Sequence, residues 1–221
     1  MQSEILYEDR DIIVCYKPAG IAVQSADIGQ MDMVSELKNY LKTSYLGLVH
    51  RLDQPVEGIL LFAKNKKSAS VLSRQLQKDI LNKKYLAAVY GQMEKKQGVL
   101  KDYLIKDSKL RMAKIVTENE KNAKEAILFY EEKMSDKECS LLSVTIQTGR
   151  FHQIRAQLSG QGCPVLGDRK YGNTESVKMS QKLQVKNVAL CANEISFLHP
   201  LTGKQLQFRI RPRGEIFKKF S

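Results

Sequence analysis

Two stretches of this chain hold side chains that could do chemistry. The first is Gly47 to Asn65, GLVHRLDQPVEGILLFAKN, in which Asp53 stands two residues after Arg51, three after His50 and just before a glycine-led apolar run. Neighbouring positive charge keeps a carboxylate ionised and oriented, and such a carboxylate can serve as nucleophile or base. Taken alone, an Arg and an Asp two apart equally describe a loop salt bridge or a turn cap. The second stretch is Thr148 to Gly172, TGRFHQIRAQLSGQGCPVLGDRKYG. On a helix over Phe151 to Ser159, stopped by Gly160, His152 and Arg155 lie at i and i+3 and project together, with Arg150 near the helix start. Phe151, Ile154 and Leu158 then form the core face. Two arginines and a histidine so placed suit phosphate contacts or a buried carboxylate partner; a solvated polar face fits the same spacing.

The elements that must hold these residues are mostly strands. DIIVCY (Asp11 to Tyr16) runs into a Lys17-Pro18-Ala19-Gly20 turn, where Pro18 cannot donate to a ladder and Gly20 takes positive φ readily. GILLFAK and KKYLAAVYG read as buried strands, and AILFYEEKM, CSLLSVTIQT, ALCANEISFL and QLQFRIR add more, with a turn at Thr202-Gly203. Between the first two, Asn65 to Leu81 predicts a helix capped by Asn65 or Ser68, with Ala69, Leu72, Leu76 and Ile80 buried and its lysines outward. A further helix is expected over Val34 to Lys42. Many strands with few helices predict an α+β fold with a largely antiparallel sheet, whose edge loops carry the site.

Composition narrows the partner. The chain carries 36 Lys and Arg against 24 Asp and Glu, a net +12, with a pI near 9.5, which suits a polyanion. The charge is uneven: Lys64 to Lys84 holds seven basic residues and one acidic, Thr117 to Glu138 seven acidic and four basic. Cys15, Cys139, Cys163 and Cys191 form no C-x-x-C pair and the histidines lack zinc-ligand spacing, so no metal site is expected. The start, MQSEILYEDRD, lacks a signal peptide's basic and apolar regions, and apolar runs such as YLAAVY span only six residues. A cytoplasmic protein with no membrane association and reduced cysteines is expected. No linker or repeat divides the chain, so residues 1–221 are expected to form a single domain.

Five blocks in order carry a resemblance. ILYEDRDIIVCYKPAGIAVQ, HRLDQPVEGILLFAKN, KKYLAAVYG, TGRFHQIRAQLSGQGCPVLGDRKYG and LCANEISFLHPLTGK together resemble the RluA-type pseudouridine synthases, which isomerise uridines in ribosomal or transfer RNA. The resemblance implies the pseudouridine synthase fold, a mixed, largely antiparallel sheet flanked by a few helices with a central RNA-binding cleft. It implies Asp53 as the catalytic aspartate, Tyr85 as the tyrosine that stacks on the target base and assists proton transfer, and Arg155 as the partner that fixes the aspartate. Leu190 matches an apolar residue of the active site. With His50, Arg51, Arg150 and His152 it is expected to bind substrate, Arg51 filling the gap left by the displaced base. His199, before a proline, reads instead as a turn histidine outside the site. The family's reaction needs no cofactor and no metal, and a monomer is expected.

The match departs from the family pattern at Val56 and Glu57, where small hydroxyl residues are usual. Glu57 is expected to bring a second carboxylate towards the site, either raising the pKa of Asp53 or repelling RNA phosphate. The chain opens directly on the catalytic block, so no S4-like RNA-binding domain is expected ahead of it. Two rival readings are a catalytically degenerate relative acting as an RNA folding or assembly factor, and a carboxylate pair of glycosidase type at Asp53 and Glu57. The positive charge and the lack of an aromatic-rich sugar platform fit the last poorly.

Overall fold

In the computed structural model of the protein, which describes residues 3–25 and 29–220, the apolar runs become strands in the expected places. In chain order the elements are β1 (Glu4–Glu8), β2 (Ile12–Lys17), α1 (Met33–Leu41), β3 (Gly47–Leu48), β4 (Glu57–Ala63) and α2 (Lys66–Gln77). There follow β5 (Asn82–Tyr90), β6 (Gln97–Asp107), β7 (Met112–Val116), β8 (Lys124–Ser135) and β9 (Cys139–Ile146). The chain ends with α3 (Gln153–Gly160), α4 (Thr174–Lys182), β10 (Leu190–Leu198), β11 (Gln205–Arg209) and a 3-10 helix, Glu215–Phe220. Every described strand pairing is antiparallel except β4 with β10, which makes the expected α+β class. No described helix is long and apolar enough to cross a membrane.

The residues group into two compact units, Met1–Lys83 with Cys191–Pro212, and Lys84–Leu190 with Arg213–Ser221. Two of the crossings fall inside β5 and β10, so no loop composition marks the boundary.

In the first unit β2 and β4 lie side by side and are buried along their whole length, which explains their unbroken apolar sequence: both faces are covered, so period-two alternation is lost. β1 extends the sheet from β2, and β10 and β11 from the other edge of β4. α2 packs Leu72 into a core of Ile59, Leu61, Ile195 and Phe197. Its cap is Asn65, whose side chain accepts from the Ser68 N–H at 2.9 Å and donates to Asp11 at 2.8 Å. The helix is shorter than its periodicity predicts. It ends at Gln77, Asp79 turns at φ +55°, and Ile80 is 41 % exposed, so the buried face is Ser68, Leu72 and Gln75 and not a stripe reaching Ile80. Gln75 takes over the anchoring: its amide donates to Leu198 O at 2.7 Å and accepts from Leu198 N–H at 2.8 Å.

At Gly58 the chain takes φ +136°, and a Cβ there would meet Ala192 N and O at 2.5 Å. The parallel pairing of Gly58 with Ala192 needs that approach. Gly58→Ala is therefore expected to destabilise the protein by about 1–3 kcal/mol, read as a lower urea midpoint with unchanged slope; an unchanged midpoint would remove this account of the glycine.

The second unit is an antiparallel sheet in the order β5, β9, β8, β6, β7. Register settles its faces. Tyr85 pairs with Val144, Val144 with Tyr130 and Tyr130 with Gly98, so Tyr85 shares a face with Leu100, Asp102 and Ala126. α3 covers that face, its Gln157 amide donating to Leu100 O, Ala126 O and the Asp102 carboxylate. The β6–β7 hairpin and α4 have no counterpart in the sequence reading. A further expectation fails: Phe151 is neither helical nor core. His152 at φ +51° is the residue before α3, which breaks the helical phase and leaves Phe151 38 % exposed, stacked on the His152 ring at 3.8 Å with Lys106 over it. Ile154 and Leu158 are buried as expected.

Candidate active site

The first unit carries Asp53 with His50 and Arg51 on the loop between β3 and β4. The loop alternates: Val49, His50, Leu52 and Val56 are buried, Arg51 is exposed and Asp53 is half-buried. His50 is 6 % exposed, and its Nε2 accepts from the Leu61 N–H at 3.2 Å. Its proton is therefore on Nδ1. Burial, with the Lys83 charge adding to it, holds its pKa well below the ordinary value and keeps the ring neutral. Within HRLD, His50 thus ties the loop to β4 and Arg51 faces outward.

The loop's other end is held by Lys17, a residue the sequence reading passed over as the head of the K-P-A-G turn. Its side chain is fully buried, and Nζ donates to Pro18 O at 2.9 Å, Ile21 O at 2.8 Å and Gln54 O at 3.0 Å, using all three of its protons. Gly20, at φ +92°, donates its N–H to Gln54 O at 2.8 Å and accepts from the Gln54 amide at 3.0 Å. A further bond from Val56 N–H to Asp53 O at 3.0 Å tightens the turn. The carbonyls of Asp53 and of Gln54 after it are thereby held in place. Glu57, at the start of β4, is buried and accepts from the Tyr16 hydroxyl.

The second unit carries Tyr85, Arg150, His152, Arg155 and Leu190. Tyr85 is buried in β5, and Leu190 is buried at the start of β10 with its N–H on Val188 O at 2.7 Å. Arg155 makes a two-toothed pair with Asp168, Nε to Oδ2 at 2.6 Å and Nη2 to Oδ1 at 2.9 Å. Asp168 also accepts from the N–H groups of Lys170 and Tyr171. A buried carboxylate, one of the partners the spacing allows, is therefore among those Arg155 has. His152, at φ +51° before α3, is not at a helical i, i+3 position to Arg155, yet both side chains meet Tyr171. The Arg155 guanidinium lies 5.1 Å from the centre of its ring, and the His152 Nδ1 lies 2.9 Å from its hydroxyl, which accepts from the Ala113 N–H. Arg150 donates Nε–H to Glu125 O at 2.7 Å. Asp168 and Tyr171 are missing from the sequence-derived set although both lie in the GDRKYG end of the Thr148 to Gly172 stretch; nothing short of the fold marks them as partners of Arg155.

His199 is a turn residue as expected. Its Nδ1 accepts from the N–H groups of Leu201 and Thr202, which leaves Nε2 to donate to Asp9 at 2.8 Å.

A half-buried carboxylate on a backbone-braced turn suits acid–base or nucleophilic chemistry, and a protein of net charge +12 attracts a polyanionic substrate. Residues 11–160 match the family model described as RNA pseudouridylate synthase. The chain is 36 % identical over 210 residues to the ribosomal large subunit pseudouridine synthase C of Rickettsia typhi, covering 94 % of this chain and 67 % of that one. It is 31 % identical over 223 residues to the protein of the same name in Buchnera aphidicola, covering 99 % and 69 %. The fold resembles that of the human RNA pseudouridylate synthase domain containing 4, with a TM-score of 0.77, 25 % identity and 95 % and 88 % of the two chains covered. The chain belongs to the RNA pseudouridylate synthase family. Its reaction is the isomerisation of uridine to pseudouridine in RNA.

Proposed function

We propose that this enzyme modifies large-subunit ribosomal RNA with Asp53 as its catalytic carboxylate, working as a cytoplasmic monomer without metal or cofactor. The observation that carries the reading is the half-exposed Asp53 on a turn whose neighbours are fixed by Lys17, Gly20 and Val56. The names of the Rickettsia and Buchnera relatives support the ribosomal target.

The reaction breaks the N1–C1′ bond, turns the uracil and joins C5 to C1′; C5 gives up its proton and N1 takes one up, so atoms and electrons balance. Asp53 acts as nucleophile towards sugar or base, or as the base that opens an elimination route. Tyr85 stacks on the uracil and assists removal of the C5 proton, Arg155 fixes the aspartate, and Leu190 packs beside the base. The base leaves its stack before the carboxylate reaches it. Arg51, exposed next to the loop's buried residues, fills the gap, its guanidinium stacking where the uracil was. Lys66, Lys67 and Arg74 on the outer face of α2 and Lys78 just after it, with Arg209 and Arg211, follow the RNA backbone.

Bulk RNA from a strain lacking the gene, incubated with the enzyme and mapped for pseudouridine, tests the target. New pseudouridine is expected in large-subunit ribosomal RNA. Modification confined to transfer RNA would overturn the target, and none at all would favour the RNA-binding, non-catalytic reading. Arg51→Ala is expected to lower kcat/KM by about tenfold; affinity and turnover both at the wild-type level would exclude the gap-filling role.

A further inference from the structure

Lys17 is the most completely buried charge in the described structure that the mechanism leaves without a role. A buried ammonium is costly unless its protons are bonded and its charge is answered. The three carbonyls supply the bonds. The charge is answered from the 53–57 segment: Asp53 and Glu57 both pull the Lys17 pKa upward against burial, which alone pushes it down and leaves it at about 8. Glu57 is therefore a counter-charge as well as a departure from the family pattern. Its carboxylate is oriented by the Tyr16 hydroxyl from the strand that ends in Lys17.

We propose that Lys17 is a positioning residue for Asp53, its ammonium holding the 53–54 turn through Gln54 O, and that Glu57 is the counter-charge that keeps that ammonium in place. This rests on the reading of Asp53 as the catalytic carboxylate. The groups that face Lys17 are Asp53 from the loop, Glu57 from β4 and Tyr16 from its own strand. Cys191, opposite Glu57 on β10, stays a neutral thiol because burial, with the Glu57 charge adding to it, pushes its pKa up. Loss of the Lys17 proton removes one of the three bonds and the attraction to Asp53 and Glu57. The turn loosens and the carboxylate loses its place.

The signs of activity and stability differ. The Lys17 pKa is lower folded, about 8, than its ordinary value of 10.5, so between those values the unfolded chain binds more protons. The contribution of Lys17 to stability rises with pH across that window, whereas turnover falls. An alkaline loss of activity near pH 8 is then not unfolding.

The test is the pH dependence of kcat on an RNA substrate, with circular dichroism and thermal unfolding on each variant. The wild type is expected to show an alkaline limb near pH 8. Lys17→Met is expected to lower kcat by about tenfold or more with KM within about twofold, and to lose the limb. Lys17→Arg, charged throughout, is expected to recover part of kcat and to lack the limb as well. Glu57→Gln is expected to move the limb down by about one pH unit, and this variant decides the matter if the Lys17 variants do not fold. Lys83, the other lysine that burial lowers to about 8, is the control: Lys83→Gln keeps the limb. A limb that stays put in Glu57→Gln, or survives in folded Lys17→Met, overturns the proposal. If Asp53→Asn retains turnover, it is the assignment of Asp53 that fails; if that variant is inactive while the limb ignores Lys17 and Glu57, only the positioning role fails.

Discussion

Asp53→Asn lowers turnover by roughly 10²–10⁴-fold while RNA affinity stays within about twofold. The amide is nearly the shape of the carboxylate, so the turn that places it keeps its backbone bonds from Val56 N–H and to Gly20 and Lys17, none of which uses the Asp53 side chain. What disappears is the negative charge and the lone pairs that attack carbon or take a proton. Affinity for RNA depends instead on the sum of many phosphate contacts across a protein of net charge +12, and removing one carboxylate does not weaken that sum. Single-turnover rates and filter binding on the same preparations separate the two quantities. Equal loss in both would make Asp53 a folding residue, and no loss in rate would move the chemistry elsewhere.

Breaking the pair between Arg155 and Asp168 has the largest expected effect on stability. Both side chains are almost inaccessible, at 4 % and 0 % exposure, and two parallel N–H···O bonds join them. Asp168→Ala removes a buried carboxylate that holds two of the guanidinium's N–H groups, with a cost of about 3–5 kcal/mol. In a chain of 221 residues that lowers the midpoint of thermal unfolding by roughly 10 °C. Asp168→Asn keeps the volume and one acceptor and recovers part of the loss. Arg155→Lys is not conservative here, because an ammonium cannot match both oxygens or lie flat against Tyr171, 5.1 Å away. A loss under about 1 kcal/mol for Asp168→Ala, the range of an exposed pair, would show that the pair with Asp168 contributes little to stability.

Strands and helices with strong local signals were legible, and so were their approximate ends. The unbroken apolar runs of β2 and β4 and the alternation of β8 announce themselves, and Asn65 caps α2 where its spacing from Ser68 predicts. The errors lie where local pattern and tertiary demand part. Ile80 continues a 3.6-residue period, yet the chain leaves the helix before it. Phe151 has the right spacing from Ile154, but the positive φ of His152 removes it from α3. β6 and β7 carry a weak local signal because Tyr, Lys and Asp dilute their apolar residues; they are held by pairing with each other, by β8 beside β6 and by α3 on one face.

The same division runs through the site. Residue types and order along the chain determined the family, the reaction and the candidate residues Asp53, Tyr85 and Arg155, because motif residues are close in sequence and the chemistry restricts their type. Only the tertiary structure decided what holds them. Lys17 lies 37 residues from Gln54, and Arg155 lies 13 from Asp168 across the end of α3 and the loop beyond. Glu57, which by sequence alone was a second charge approaching Asp53, is by structure buried with Tyr16 and acts on Lys17. Partnerships of this kind depend on which side chains share a water-free interior, where a charge must find its complement, and separation along the chain does not record that.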